Sequence, residues 1–298
     1  MDEALANLER TTDSALFREL GSRFTEAGYE LALVGGPVRD AFLGRKAPDL
    51  DFTTSAKPDE IIRVLKGYAD TFWDIGREFG TIGARVGDDQ IEITTYRADK
   101  YQLDSRKPEV AFGKDLTEDL LRRDFTVNAM ALRLPEKVFV DPFNGLRDLL
   151  DGVLRTPGKP EDSFGDDPLR MMRGVRFAAQ LNFDIEAETF FALTTHAARL
   201  QIISAERIID ELNKIIQTPK PSYGFKLLFA SKLLHEFFPE MVELQGVDSV
   251  DDKSHKDNFY HTLQVLDNLC QASDDLWLRW AAILHDIAKP ATKRFHPK

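Results

Sequence analysis

Apolar residues follow two different rhythms along this chain. Up to about residue 155, short apolar runs alternate with short helical patterns. Leu31, Ala32, Leu33 and Val34 form an unbroken apolar run that stops at Gly35-Gly36, the pattern of a buried strand. Residues 50–54 predict a second short strand. Residues 82–86 and 91–96 flank Gly87-Asp88-Asp89-Gln90 and predict a hairpin. Residues 55–67 predict a helix, with Ser55 near its N-cap, Pro58 in its first turn, Ile61, Ile62 and Leu65 on one side and Gly67 as the stop. Residues 99–114 are polar without a period and predict a loop. Residues 116–132 predict a segment that is at least partly helical.

Beyond Arg155 the strand patterns cease. Leu169, Met172, Val175 and Ala179 recur at helical steps, and similar patterns run through 204–216, 223–238 and 259–270. The change of rhythm, punctuated by Pro157-Gly158-Lys159-Pro160, predicts an α+β chain with strands and helices interleaved first and helices alone after. No internal repeat is visible. The final residues follow directly on an apolar helical run, so a truncated chain is expected.

Composition narrows the classes. The 298 residues are 43% hydrophobic and 30% charged, ordinary for a folded chain, with no apolar stretch near the ~18 residues of a membrane span. The start lacks the basic-then-apolar order of a signal peptide, and the one cysteine, Cys270, forms no internal disulfide, so the cytoplasm is the expected compartment. A net charge of -11 excludes a protein that holds nucleic acid by bulk positive charge, but not one with a local basic surface or with carboxylates that hold cations. The sequence does not show an oligomeric state.

Candidate chemistry begins at Gly35-Gly36-Pro37-Val38-Arg39-Asp40, which follows a strand and opens a helix. Glycines let a backbone approach a ligand, and a helix start favours phosphate, to which Arg39 could add a charge-assisted contact. Such turns are also common as plain connections. The next strand changes the reading. Asp49 and Asp51 are spaced by two and share a strand face, while Leu50 and Phe52 point to the core. Two acids on one face repel unless a cation lies between them, and Mg²⁺ takes oxygen ligands of this kind together with substrate phosphates. Glu92, between Ile91 and Ile93, becomes a third carboxylate there if its strand pairs beside Asp51. Two ions held by three acids suit an in-line displacement at phosphorus.

The series Gly35-Gly36-x-Val38-Arg39-Asp40 and Asp49-x-Asp51 resembles the signature of the nucleotidyltransferases that include the tRNA CCA-adding enzymes and the bacterial poly(A) polymerases. Arg122-Arg123-Asp124-Phe125-Thr126-Val127-Asn128-Ala129 is similar to the next motif of that family. Asp124 and Asn128, four apart, suit one helix face, and alone they would read as a surface helix. The resemblance implies that Arg123 meets the triphosphate and that Asp124 and Asn128 meet the ribose. It also implies that Asp167 and Arg170, in Asp166-Asp167-Pro168-Leu169-Arg170-Met171-Met172-Arg173-Gly174-Val175-Arg176, act as a protein template for the incoming base. Asp167, Arg170, Arg173 and Arg176 recur every three residues, opposite Leu169 and Met172, as a solvated helix face would also do; with the resemblance, Arg173 and Arg176 are expected to be nucleotide-binding as well. An acceptor beside a donor fork matches cytosine and adenine. Uracil and guanine would leave buried polar groups unpaired, at ~1–3 kcal/mol each. The family pattern usually has Glu where this chain has Asp166.

What the resemblance implies for the whole is a small mixed-sheet nucleotidyltransferase head (1–155), a helical neck and body with the base-reading motif (156–240) and the start of an HD-type helical domain (241–298). The implied activity is template-independent addition of C, C and A to the tRNA 3′ end from CTP and ATP, with Mg²⁺ as cofactor and release of pyrophosphate. Residues 99–114 would be the flexible element needed for adding A, and their full length favours complete addition. Ser204-Ala205-Glu206-Arg207-Ile208 resembles a later neck motif, with Glu206 and Arg207 in capping or ion pairing. Lys214, Lys220, Lys226 and Lys232 are candidates for a phosphate-facing surface. His261, His285 and Asp286 resemble the opening of an HD metal site, with His255 a bystander. A poly(A) polymerase or a partial CC- or A-adding relative is the nearest alternative. An HD phosphohydrolase whose head positions RNA and an RNA-binding module with an inactive site are the alternatives of another class.

Overall fold

A computed structural model describes residues 2–45, 47, 49–74, 76–97, 100–102, 105–109, 113, 115–246, 249–250, 253–254 and 257–292. His255 and much of 99–114 lie outside the described residues. The chain divides into one unit of residues 1–151 with 155–159 and another of 152–154 with 160–298.

The first unit opens with two helices, α1 (Asp2–Thr12) and α2 (Ala15–Glu26), and then alternates: β1 (Leu31–Val34), α3 (Gly36–Phe42), β2 (Leu50–Thr54), α4 (Pro58–Leu65), β3 (Thr71–Trp73), β4 (Thr81–Val86) and β5 (Asp89–Thr95). A short pair, β6 (Lys100–Gln102) and β7 (Ser105–Glu109), precedes α5 (Leu116–Leu121), β8 (Ala131–Leu134), β9 (Val138–Val140) and α6 (Gly145–Asp151). Seven strands form one sheet in the order β3-β4-β5-β2-β1-β8-β9. All neighbours are antiparallel except β2 and β5, which run parallel.

The alternation along the strands divides the sheet faces. Ile82, Ala84, Ile91, Ile93 and Phe52 are buried on one face, where Phe52 meets Phe17 of α2 at 5.9 Å between ring centroids. The other face is apolar at β1, where Ala32 and Val34 pack with Leu116 and Leu120 of α5. From β2 outward it turns polar, carrying Asp51, Glu92 and the bonded hydroxyls of Thr81 and Thr94 (2.9 Å).

The second unit is helical. It comprises β10 (Val153–Leu154), α7 (Pro160–Asp166), α8 (Leu169–Leu181), β11 (Asp184–Ile185), α9 (Ala187–Thr195), α10 (Ala205–Ile216), α11 (Pro221–Ala230), α12 (Leu233–Phe237) and α13 (Pro239–Val242). Then come β12 (Ser249–Val250), β13 (Lys253–Ser254), α14 (Asn258–Cys270), α15 (Leu276–Leu284) and α16 (Lys289–Thr292). One apolar core reaches from Phe164 through Met172, Leu212 and Phe225 to Phe259 and Ile283. No helix among the described residues is long and apolar enough to cross a membrane.

The α+β class and most elements agree with the sequence reading, and the departures have local causes. Within 99–114, β6 pairs with β7 where a loop is expected; backbone pairing needs no apolar alternation. Within 116–132 the helix stops at Leu121. The Asp124 carboxylate takes the N–H of Phe125 (2.8 Å), Phe125 is extended, residues 126–128 make a 3₁₀ turn, and Ala131 opens β8. That stretch is buried nearly throughout, so its apolar run had no period to separate helix from strand. Pro58 begins α4, but the N-cap is Lys57, whose N–H binds Glu60 Oε2 at 2.7 Å; Ser55 Oγ instead accepts from Glu30 N–H. The 223–238 pattern breaks at Lys232, whose φ is +64°. α15 ends at Leu284, leaving His285 at its C-cap. The strands β10–β13 are two residues each, too short to show a rhythm.

Candidate active site

β1 ends at Val34, and the chain must turn sharply into α3. Gly35 makes that turn with φ +73° and ψ −135°, a conformation closed to most side chains. Pro37 fits the first turn of α3, and Arg39 N–H closes on Gly35 C=O at 3.1 Å. A Cβ on Gly35 would lie 2.9 Å from Nη1 of Arg123, so the missing side chain is what lets that guanidinium approach the turn.

Arg123 is held there by Asp119, a residue that sequence reasoning passed over. Asp119 lies on α5 with no exposed surface. Its Oδ2 accepts from Arg123 Nη2 (3.3 Å), and its Oδ1 accepts from Arg122 Nη2 (3.0 Å) and from the Arg97 N–H (3.2 Å). Burial disfavours the charge, yet the two guanidinia and these bonds outweigh it and hold the carboxyl below its ordinary range. The available signal was an acid with arginines three and four residues on.

Arg39 is buried too. It donates Nε and Nη2 to Asp40 Oδ1 (2.9 and 2.8 Å) and Nη1 to Asn128 Oδ1 (2.7 Å). Asn128 in turn donates to Asp124 Oδ1 at 2.9 Å. Asp124 and Asn128 therefore meet, not along an α-helix but across a 3₁₀ turn, and Arg39 fixes the amide of Asn128 from below.

The carboxylates stand beside this turn. The parallel register places Asp51 directly against Glu92, so both project from the polar sheet face. Asp49 precedes β2 and is close enough to influence both. Burial and the charge of Asp49 raise the Asp51 pKa, against the opposing pull of Arg123. Glu92, more open to solvent, is raised by partial burial and by Asp51 and Asp49. Protons are thus favoured where acids crowd, and a cation would relieve the same repulsion. Oxygen donors of this number and charge fit a hard divalent ion.

The second unit carries Asp167 and Arg170. Asp167 lies ahead of α8 instead of on it: its Oδ1 accepts from the Leu169 N–H (3.1 Å), and its Oδ2 faces Arg207 Nη2 at 3.7 Å. Arg207 is thus an ion-pair residue, as its motif suggested. Arg170 is buried, and its Nη1 donates to Ser163 Oγ at 2.9 Å. Arg176 pairs with the buried Glu211 (2.6 Å) and lies 4.1 Å above the Phe177 ring, and Arg173 lies 5.5 Å from the same ring. The row of arginines is packed, not a solvated face. Farther on, ligand atoms of His261, His285 and Asp286 all lie within 4.8 Å of one another. Asp286 Oδ2 also accepts from Lys289 Nζ at 2.6 Å.

Comparison with known proteins finds matches to three separate stretches of the chain. Residues 31–155 match the model of the poly A polymerase head domain, 182–244 that of the probable RNA and SrmB-binding site of polymerase A, and 258–298 that of the HD domain. The CCA-adding enzyme of Streptococcus thermophilus is 44% identical over 218 residues, 73% of this chain and 53% of that protein. That of Streptococcus pyogenes is 41% identical over 239 residues, 80% of this chain and 58% of that protein. The chain therefore spans little more than half the length of these relatives. The crystal structure of the Bacillus stearothermophilus CCA-adding enzyme in complex with CTP superposes with a TM-score of 0.75 at 28% identity, covering 92% of this chain and 63% of that one. A tRNA nucleotidyltransferase complexed with a primer tRNA and an incoming ATP analog gives 0.67 at 27%, covering 90% and 75%.

Proposed function

The chain belongs to the family of the poly(A) polymerase head domain and the CCA-adding enzymes, and we propose that it adds C, C and A to the 3′ end of tRNA, taking CTP and ATP and releasing pyrophosphate. The observation that carries this reading is the pairing of Asp51 with Glu92 beside a glycine turn that Arg123 overhangs. Asp49, Asp51 and Glu92 would hold the divalent ions, proposed as Mg²⁺, whose chemistry when bound would be to lower the pKa of the tRNA 3′ hydroxyl and to neutralise the departing pyrophosphate. Gly35, Gly36 and Arg123 receive the triphosphate. Asp124 and Asn128, ordered by Arg39, receive the ribose.

Asp167 and Arg170 select the base. An acceptor and a donor fork complement the amino group and neighbouring ring acceptor shared by cytosine and adenine. Anchorage of Asp167 by the Leu169 N–H and of Arg170 by Ser163 keeps the pair from turning to suit uracil or guanine. Arg173 and Arg176 stiffen the same helix through Phe177 and Glu211. The cytoplasm, where tRNA matures, is the proposed compartment.

The test is nucleotide incorporation into a tRNA lacking its 3′ CCA. Addition of C, C and then A, with little UMP or GMP, is expected. AMP added in long runs to any RNA would identify a poly(A) polymerase instead. The cluster of His261, His285 and Asp286 favours a second reading, metal-dependent phosphohydrolysis. Phosphatase turnover without incorporation would establish that reading in place of the first.

A further inference from the structure

Strand register extends the carboxylate row beyond Glu92. Glu92 pairs with Gly83 of β4, and Gly83 pairs with Trp73 of the edge strand β3. Residues paired in register share a face, so Asp51, Glu92, Gly83 and Trp73 form one line across four strands. Gly83 has no side chain, and the indole occupies the vacated space: a Cβ there would lie 1.9 Å from Trp73 Nε1 and 2.0 Å from Cε2. The indole thus covers the strand next to Glu92. Trp73 itself is partly exposed.

The order along this line has a chemical meaning. The glycine turn and Arg123 lie on the β1 side of Asp51, while Gly83 and Trp73 lie on the far side of Glu92. In an in-line displacement the attacking and leaving oxygens take opposite sides of the phosphorus. With the pyrophosphate leaving toward Gly35 and Arg123, the attacking 3′ hydroxyl enters from the side of β4 and β3. We propose that Trp73, seated on Gly83, is the platform on which the 3′-terminal base of the acceptor RNA stacks while its hydroxyl faces Asp51 and Glu92. The inference rests on the nucleotidyl-transfer reading above. Any base offers a π-face, so the same platform serves the tRNA end as it grows from its original base to C and to CC. Trp73 binds the acceptor and not the incoming nucleotide.

Gly–aromatic pairs also stabilise sheets, so the test reads the substrate as well as the protein. Trp73→Ala is expected to raise KM for a tRNA lacking CCA about tenfold, the lower part of the range for one stacked base, with KM for CTP unchanged. Trp73→Phe should keep most of the affinity. An acceptor with an abasic residue at its 3′ end should lose a similar factor in kcat/KM with the unmutated protein and little more with Trp73→Ala. Equal use of the abasic and intact acceptors by the unmutated protein would overturn the proposal without any variant having to fold. Independent, multiplying losses from variant and abasic end would overturn it as well. Failure of the unmutated protein to incorporate CTP would instead refute the parent reading.

Discussion

Replacement of Asp51 by Asn separates the function of the carboxylate row from its stability. Asp51 and Glu92 face each other across adjacent strands, roughly 5 Å apart, with Asp49 beside them. Two unit charges at that spacing repel by about 3 kcal/mol at an effective dielectric of about 20. Glu92 is open to water and Arg123 offsets part of the field, so about 1 kcal/mol is the expected net strain. Because folding raises the pKa of both acids, their contribution to stability is present below the ordinary carboxylate range and is lost as pH rises through the raised values. At neutral pH without divalent cation, Asp51→Asn should therefore be more stable than the parent, by about 2–4 °C in the midpoint of thermal unfolding. The gain should vanish near pH 4. Added MgCl₂ should raise the midpoint of the parent and leave the variant almost unmoved, while nucleotide incorporation by the variant falls at least a hundredfold. Calorimetry in EDTA and in MgCl₂ at two pH values checks all of this. A metal-free variant less stable than the parent at pH 7, or one still stabilised by the cation, would refute the argument.

Arg170→Ala should narrow the preference for CTP and ATP over UTP and GTP about tenfold or more, measured by competitive incorporation, with cation-dependent stabilisation intact. Asp119→Asn should destabilise the head by about 2 kcal/mol at neutral pH, since it strips compensation from two arginines. The stability from the depressed Asp119 pKa is present above the ordinary carboxylate range and lost as pH falls through its folded value, so the variant's acid limb should be flatter in thermal melts across pH 2–5. Gly35→Ala should cost about 1–2 kcal/mol of stability and raise KM for CTP, because its Cβ strains a positive φ and pushes Arg123 off the turn. An unchanged KM there would detach Arg123 from the triphosphate.

What could be read in the sequence is what periodicity encodes. Asp49, Asp51 and Glu92 alternate with residues bound for the core, and alternation assigns a face before any partner strand is known. The pairing of Asp51 with Glu92 was legible only as a condition, because register belongs to two strands at once. Arg39 reads from the sequence as a phosphate contact; its bond to Asn128, far along the chain, is not legible there. Asp119 was easily passed over for the opposite reason: one of two adjacent acids on a short helix, it becomes meaningful only when Arg97, Arg122 and Arg123 close on it. Trp73 has no rhythm to announce it, since β3 is three residues long and the space it fills belongs to Gly83.

β2 and β5 form the one parallel pair in a sheet that is otherwise antiparallel, and α4, β3 and β4 all intervene between them in the chain. Parallel neighbours cannot be joined by a tight turn. Asp51 and Glu92 thus become neighbours only when that excursion has closed, and a fragment ending before β5 lacks the site proposed for the cation however well it folds. Affinity for the ion is therefore a reporter of long-range closure: it should appear late in refolding, after helix signals, and alterations within the excursion should tune it without touching an acid.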